Sequence, residues 1–576
     1  MRILLLVTAF NGLSQRVWCA LRAGGHHVGV QIADDAAGMI AGVWAVDPDL
    51  ILCPYLTRRV PAEVWQHWRT VIIHPGPVGD RGPSSLDWAI TDGAVRWGVT
   101  ALQAVEEMDA GPVWATRTFT MPGTTPRKSA LYAGPVADAV LECVLEVVAK
   151  AADPSFVPTP AERMPVEVPG ARARPAMRQT DRAIDWAGPT EPIVRRIRAA
   201  DGAPGVLTEV AGVPVYAYDA HPGLIRQGRP GEILLRREGA VLLAAGDGSV
   251  WLGHLRPVDV DGHPGIKLPA VTALGSRVHG VAHAATRSGR GPDATCGYGQ
   301  IRYRRTGAVG WLHVDFYNGA MAAGHCRRLL SGLRHAIEQD TRVIVLCSGT
   351  QAFSNGIHLN VIDGAPDPAA EGWANIRAIN EVCREIITCT RQTVIAAYTG
   401  PAGAGGAMLG LGADVVAARS GIVLNPFYDM GMYGSELHTY TLPARVGADR
   451  AQRLLADRLP VDAEQALRIG LVDTVGPRNV SGYVDWLTDL AAAEADPARV
   501  RARCEEKQNR LAASLPLGVY EARELAQMSR DLFDDRSGFA AARRAFVSKT
   551  RHATPDRLRL PRRSSRWTSS PSVGGR

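Results

Sequence analysis

The chain has 576 residues, enough for about three or four domains, each with its own core. With 46% hydrophobic and 21% charged residues it reads as a globular protein, and no apolar run reaches the length of a membrane-spanning helix. Its nine cysteines are scattered without a CxxC pair, which argues against a zinc site or a disulfide framework and points to a metal-free cytoplasmic protein. The opening "MRILLLVTAF" is too short for a signal peptide and lacks a small-residue cleavage site, so it is expected to be a buried first strand. From there to residue 165, β-rich runs ("HVGVQI", "LILCPY", "TVIIHPG") alternate with helical patterns, and a parallel α/β sheet with crossover helices is predicted.

Within this first unit, "VIIHPGPVGDRGPSSLDWAI" predicts a strand ending at His74, a Pro/Gly loop and a helix beginning near Ser84. "WGVTALQAVEEMDAGPVWA" then predicts a strand and a turn carrying Asp109 before a glycine. A His and an Asp held at two such turns orient and charge one another in group transfer. These segments resemble formyltransferases that use 10-formyltetrahydrofolate. The resemblance implies that His74 and Asp109 are the catalytic pair and that Arg81, Gly82 and Trp88 of the "DRGPSSLDWAI" loop bind folate. It also shows a departure: the family's asparagine two residues before the histidine is replaced by Ile72, and Asn11 in "TAFNGLSQR" is a candidate substitute.

A Pro-rich connector follows ("DPSFVPTPAERMPVEVPGARARP"), then short strands split by turn pairs over residues 175–285. "IDWAGPTEPIVRRIRA", "GEILL" and "GDGSVWLGHL" resemble the small OB-like C-terminal domain of the same transferases. After the linker "TRSGRGPDATCGYGQ", residues 297–548 are expected to form a second α/β domain with C-terminal helices.

Here "YTGPAGAGGAMLGLGADVV" lacks the Lys of a P-loop, the spacing of a dinucleotide fingerprint and the length of a membrane contact. It reads as strand, tight glycine turn and helix with bare amides at the helix start. "FSNGIHLN" makes a second such turn. Two amides aimed at one point form an oxyanion hole, each donor contributing about 2.7–4 kcal/mol in transition states that gain charge on oxygen. The pair resembles the crotonase (enoyl-CoA hydratase/isomerase) superfamily, which implies Ile357 and Gly405 as the donors and an acyl-CoA thioester as ligand. The two glutamates of crotonase hydratases are absent, Met408 and Phe427 standing in their places, so water addition is not expected. Instead "NPFYDMGMYGSE" offers Tyr428, Tyr433, Ser435 and Glu436. Glu436 reads either as a general base with Tyr428 as proton donor, or as a helix-start carboxylate after Ser435.

The combination of the two halves, with "SNGIHLNVI", "YGSE" and "YTLPARVG", resembles the HypX/HoxX family of [NiFe]-hydrogenase maturation proteins. That resemblance implies 10-formyltetrahydrofolate and coenzyme A as substrates, transfer of the formyl group to CoA, and release of carbon monoxide by the crotonase half. Hydrogenase maturation proteins are the implied partners. Leu437 and His438 stand where the family carries an aromatic pair, and the Tyr428–Gly434 segment is about two residues shorter. Two other readings stand beside it: a folate- and CoA-binding scaffold, and a formyl-folate hydrolase fused to a different acyl-CoA enzyme. Residues 541–576 hold ten Arg and Lys against one acid, so the net charge of +7 belongs to a tail. Residues 549–576 are expected to be a disordered, solvated end rather than a nucleic-acid arm.

Overall fold

Every residue of "ILLLV" at 3–7 is buried, because the first sheet is covered on both faces. Ile3, Leu5 and Val7 enter one core while Leu4 and Leu6 enter another, as the two-residue period of a strand requires. A computed structural model describes residues 1–225, 227–259, 262, 264–284, 298–426, 428–550 and 554–562. The first sheet contains β1 (Arg2–Val7), β2 (His27–Ile32), β3 (Leu50–Cys53), β4 (Thr70–His74), β5 (Arg96–Gln103) and β6 (Val113–Thr120), in the order β2-β1-β3-β4-β5-β6. The expected parallel arrangement holds only from β2 to β4. β5 runs antiparallel to β4, and β6 runs antiparallel to β5, to which a connection without a helix joins it. His74 therefore ends the last parallel strand, where ligands of open α/β sheets commonly sit.

The middle unit is an antiparallel sheet of β7 (Val206–Val210), β8 (Val213–Gly223), β9 (Ile233–Arg237), β10 (Ala240–Ala244) and β11 (Ser249–Pro257), ordered β7-β8-β11-β10-β9. Its core receives Ile193, Val194 and Ile197 from the amphipathic helix Thr190–Ala199. β12 (Leu268–Pro269) pairs with β11.

The third unit has the expected α/β form. β13 (Ile301–Thr306) and β14 (Val309–Val314) form a hairpin, and β14 continues parallel into β15 (Val343–Ser348) and β16 (Thr393–Tyr398). Beside this sheet lies a small one of β17 (Ala402–Gly403), β19 (Val423–Asn425) and β20 (Val461–Asp462); β18 (Val415–Arg419) stays with β16. Helices Val480–Glu494, Pro497–Ala513, Leu517–Phe533 and Phe539–Val547 complete it.

The halves touch directly. Gln15 Oε1 accepts from Asn425 Nδ2 at 2.7 Å, and the Asp138 carboxylate lies 2.5 Å from Arg16 and 3.7 Å from the fully buried Arg419. Arg127 bridges all three units, pairing with Asp219 at 2.9 Å and Asp315 at 3.1 Å.

The expected disordered end is corrected over 554–562. Leu558 and Leu560 are buried in the two cores of the first unit, Leu560 lying over Gly29 of β2 where no side chain intervenes. Thr554 Oγ1 accepts from Ile32 N at 2.8 Å, and Arg557 pairs with Asp429 of the third unit. Residues 551–553 and 563–576 lie outside the described residues, as do most of the second linker and Phe427.

Candidate active sites

His74, 4% exposed, stands between two carboxylates. Its Nε2 lies 2.8 Å from Asp80 Oδ2 and its Nδ1 3.4 Å from Asp109 Oδ2. Asp109 takes left-handed backbone (φ 55°) at the β5–β6 turn and also accepts from Gly82 N at 3.1 Å. Asp80, beside His74 here, carries no sequence signal beyond its place directly before Arg81 and Gly82. Gly76 is needed between them, since a Cβ there would collide with both Asp80 and His74.

His74 and Asp109 face a cavity of about 670 Å³, lined also by Asn11, Ile72, Tyr132, Lys128, Asp201 of the middle unit and Lys549 after the last long helix. Asn11 thus shares a chamber with His74. Its side-chain oxygen caps the helix Gly12–Ala23 through Ser14 N, which leaves its NH2 group as the donor it can present.

Two of the expected folate contacts do not line this chamber. Trp88 donates to Pro175 O at 3.1 Å and lies under the Arg174 guanidinium, and Arg81 pairs with Glu107 while its backbone bonds to Arg174. Both secure the connector that crosses the loop. Gly82 does line the chamber and has φ 114°, and a Cβ there would collide with the Arg174 carbonyl oxygen. An Arg and a Trp in a loop look like ligand contacts in a sequence, whereas here they hold a strand of chain.

In the third unit the two glycine turns abut. A Cβ on Gly356 (φ 73°) would lie 3.3 Å from the backbone nitrogens of Gly405 and Gly406. Ile357 follows this turn, and Gly405 begins the helix Gly405–Leu409, whose first amides lack intrahelical partners. Met408, on the same helix, is buried in the core and offers no acid or base.

Glu436 is 2% exposed, and its Oε1 lies so close over Gly405 that a Cβ there would overlap it. Oε2 accepts from Tyr428 Oη at 2.6 Å and from Ser435 N at 3.2 Å. Burial raises the Glu436 carboxyl above its ordinary range, and burial beside Glu436 raises the Tyr428 phenol. The helix-start reading of Glu436 is not what the structure shows. Helix His438–Val446 is capped instead by Glu524, which accepts from Leu437 N and Thr439 N. Tyr433 is 44% exposed and its ring faces His438. Glu524 and Asn380, which hold this loop, were invisible in the sequence because they come from distant helices.

Residues 176–261 match the family model for the C-terminal domain of formyl transferases, and residues 318–526 match that for enoyl-CoA hydratase/isomerase. The chain is 40% identical over 555 residues to the hydrogenase maturation factor HoxX of Bradyrhizobium diazoefficiens, spanning 95% of each protein. It is 29% identical over 176 residues to a methionyl-tRNA formyltransferase of Sorangium cellulosum, covering 30% of this chain and 54% of that one. The crystal structure of HypX from Aquifex aeolicus in complex with tetrahydrofolic acid is similar along 98% of this chain and 99% of its own, with a TM-score of 0.91 and 37% identity.

Proposed function

Because this chain belongs to the HypX/HoxX family of hydrogenase maturation factors, we propose that it makes carbon monoxide from 10-formyltetrahydrofolate by way of formyl-CoA. The folate binds in the chamber at His74, a ligand class supported by the tetrahydrofolic acid complex of the Aquifex protein. His74, oriented by Asp80 and Asp109, takes the proton of the CoA thiol. The thiolate attacks the formyl carbon, the bond to the folate nitrogen breaks, and His74 returns the proton to that leaving nitrogen. Asn11 donates to the formyl oxygen in place of the asparagine that Ile72 replaces.

Formyl-CoA has no α-carbon, so the enolate chemistry of crotonases is closed to it. The remaining elimination removes the formyl proton and expels thiolate, giving CO and CoA-SH. Glu436 takes the formyl proton, Tyr428 protonates the sulfur, and the Tyr428–Glu436 hydrogen bond returns the proton to the phenol oxygen. The amides of Ile357 and Gly405 position the carbonyl. A carbonyl becoming neutral CO gains little negative charge, so their contribution is mainly to binding.

The observation that carries this reading is the buried Glu436 carboxylate lying over Gly405 with Tyr428 on its other oxygen. It gives the crotonase half a base where hydratase glutamates are missing. The test is Glu436→Gln supplied with formyl-CoA. CO release is expected to fall by about 10²–10⁴-fold with CoA affinity kept. A fully active variant would overturn the assignment.

A further inference from the structure

The loop that carries Glu436 is held in an unfavourable shape. Glu436 (φ 64°) and Leu437 (φ 54°) are consecutive non-glycine residues in the left-handed region, a conformation that persists only where surroundings enforce it. What enforces it is one face of the helix Leu517–Phe533. Glu524, Met528 and Asp531, at the i, i+4, i+7 spacing of a single helix face, are each 1% exposed or less. Asp531 accepts from Tyr433 N at 2.7 Å and Met528 Sδ from Gly434 N at 3.1 Å. Glu524 accepts from Leu437 N at 3.0 Å, Thr439 N at 2.8 Å and Thr439 Oγ1 at 2.6 Å. The Glu436 amide itself is taken by the fully buried Asn380 at 2.8 Å.

We infer that Glu524 is a positioning residue for the decarbonylation base: it locks the strained turn that aims Glu436 at Gly405. The inference rests on the reaction proposed above. A carboxylate that is fully buried without a Lys or Arg partner is costly if loop packing is its whole purpose. Among the described residues its one ion-pair partner within 4 Å is His438 Nδ1 at 3.4 Å. That nitrogen also bonds to Ser435 O at 2.8 Å, and burial lowers the imidazole's proton affinity, so it supplies no full charge. The other titratable groups facing Glu524 are Glu436 and Tyr428 from the loop, Cys383 from the helix Pro368–Thr388, and Glu521 on its own helix. Arg384 pairs with Glu521, not Glu524. The Glu524 oxygens are thus engaged by the backbone and hydroxyl donors of the turn.

The experiment supplies formyl-CoA directly and reads CO, for wild type, Glu436→Gln and Glu524→Gln. Glu524→Gln keeps the shape but replaces one acceptor oxygen by an NH2 and removes the charge. We expect kcat to fall about 100-fold with KM for formyl-CoA unchanged, as misaimed catalytic groups behave. Melting temperature is read alongside, since a merely structural role would lower it while leaving the turnover of the folded enzyme unchanged. A kcat near wild type would overturn the inference. Should Glu524→Gln fail to fold, Thr439→Val decides, since it removes the hydroxyl donor with little change of shape. A kcat loss of about tenfold at constant KM supports the inference, and an unchanged kcat overturns it. Wild type that releases no CO from formyl-CoA would sink the proposed reaction itself. Wild type active, Glu436→Gln inactive and Glu524→Gln unaffected would sink only the role of Glu524.

Discussion

Glu436 and His74 are both buried, and each is fixed by carboxylates, phenols or amides that come from other parts of the chain. If the two sites act in sequence, His74→Ala should lower formyl transfer by about 10²–10⁴-fold while CO release from added formyl-CoA stays at the wild-type rate. Loss of both activities would mean that His74 holds the fold and not the reaction. Glu524 adds a prediction about stability. Burial pushes its carboxyl up to about 7 from an ordinary 4.5. Between those values the folded protein keeps a proton that the unfolded chain has released, so stability falls as pH rises through this window. Glu524→Gln should flatten the decline of melting temperature between about pH 5 and about pH 8. A decline parallel to wild type would show that Glu524 does not titrate there. At this scale the sequence disclosed the residues that sit at strand ends and glycine turns, His74, Asp109, Gly405 and Ile357, because turn chemistry marks such places. It did not disclose Glu524 or Asn380, which lie inside long helices and reach the site only through tertiary packing.

At the scale of elements, loops and the chain that crosses them set the geometry. The "DRGPSSLDWAI" loop is clamped by the connector, with Gly82 under the Arg174 carbonyl and Trp88 bonded to Pro175. Gly82→Ala would force the connector away and strain the backbone, costing on the order of 2 kcal/mol or more. Its thermal unfolding should shift downward and formyl transfer should fail, while decarbonylation of formyl-CoA persists. Unchanged transfer would show that the connector does not shape the chamber. The parallel part of the first sheet was legible in its unbroken apolar strands. The antiparallel β5–β6 pair was not, since "RWGVTALQ" and "VWATRTFT" have the same apolar character as the crossover strands and only the helix-free connection between them sets the direction.

Across the whole molecule, the C-terminal segment ties the two halves. Leu558 and Leu560 fill the cores of the first unit, and Arg557 reaches Asp429, the neighbour of Tyr428. A charge count hid this, because the alternation in "PDRLRLP" buries two leucines inside a basic stretch. Ending the chain at residue 550 should destabilise the first unit by about 3–6 kcal/mol, the burial of two leucines, read as a lower melting transition. An unchanged melt would show that the segment contributes nothing to that unit. The halves share part-buried contacts at Gln15–Asn425, Arg16–Asp138–Arg419 and Arg127.

The central claim is that both steps occur in this one chain, and a single assay tests it most directly. Purified protein is given 10-formyltetrahydrofolate and CoA under argon, with reduced haemoglobin as a spectroscopic trap for CO. Formation of carboxyhaemoglobin that needs both substrates is the predicted result. Tetrahydrofolate and formate accumulating without CO would contradict the account, because the first unit would then be working while the crotonase unit does something else.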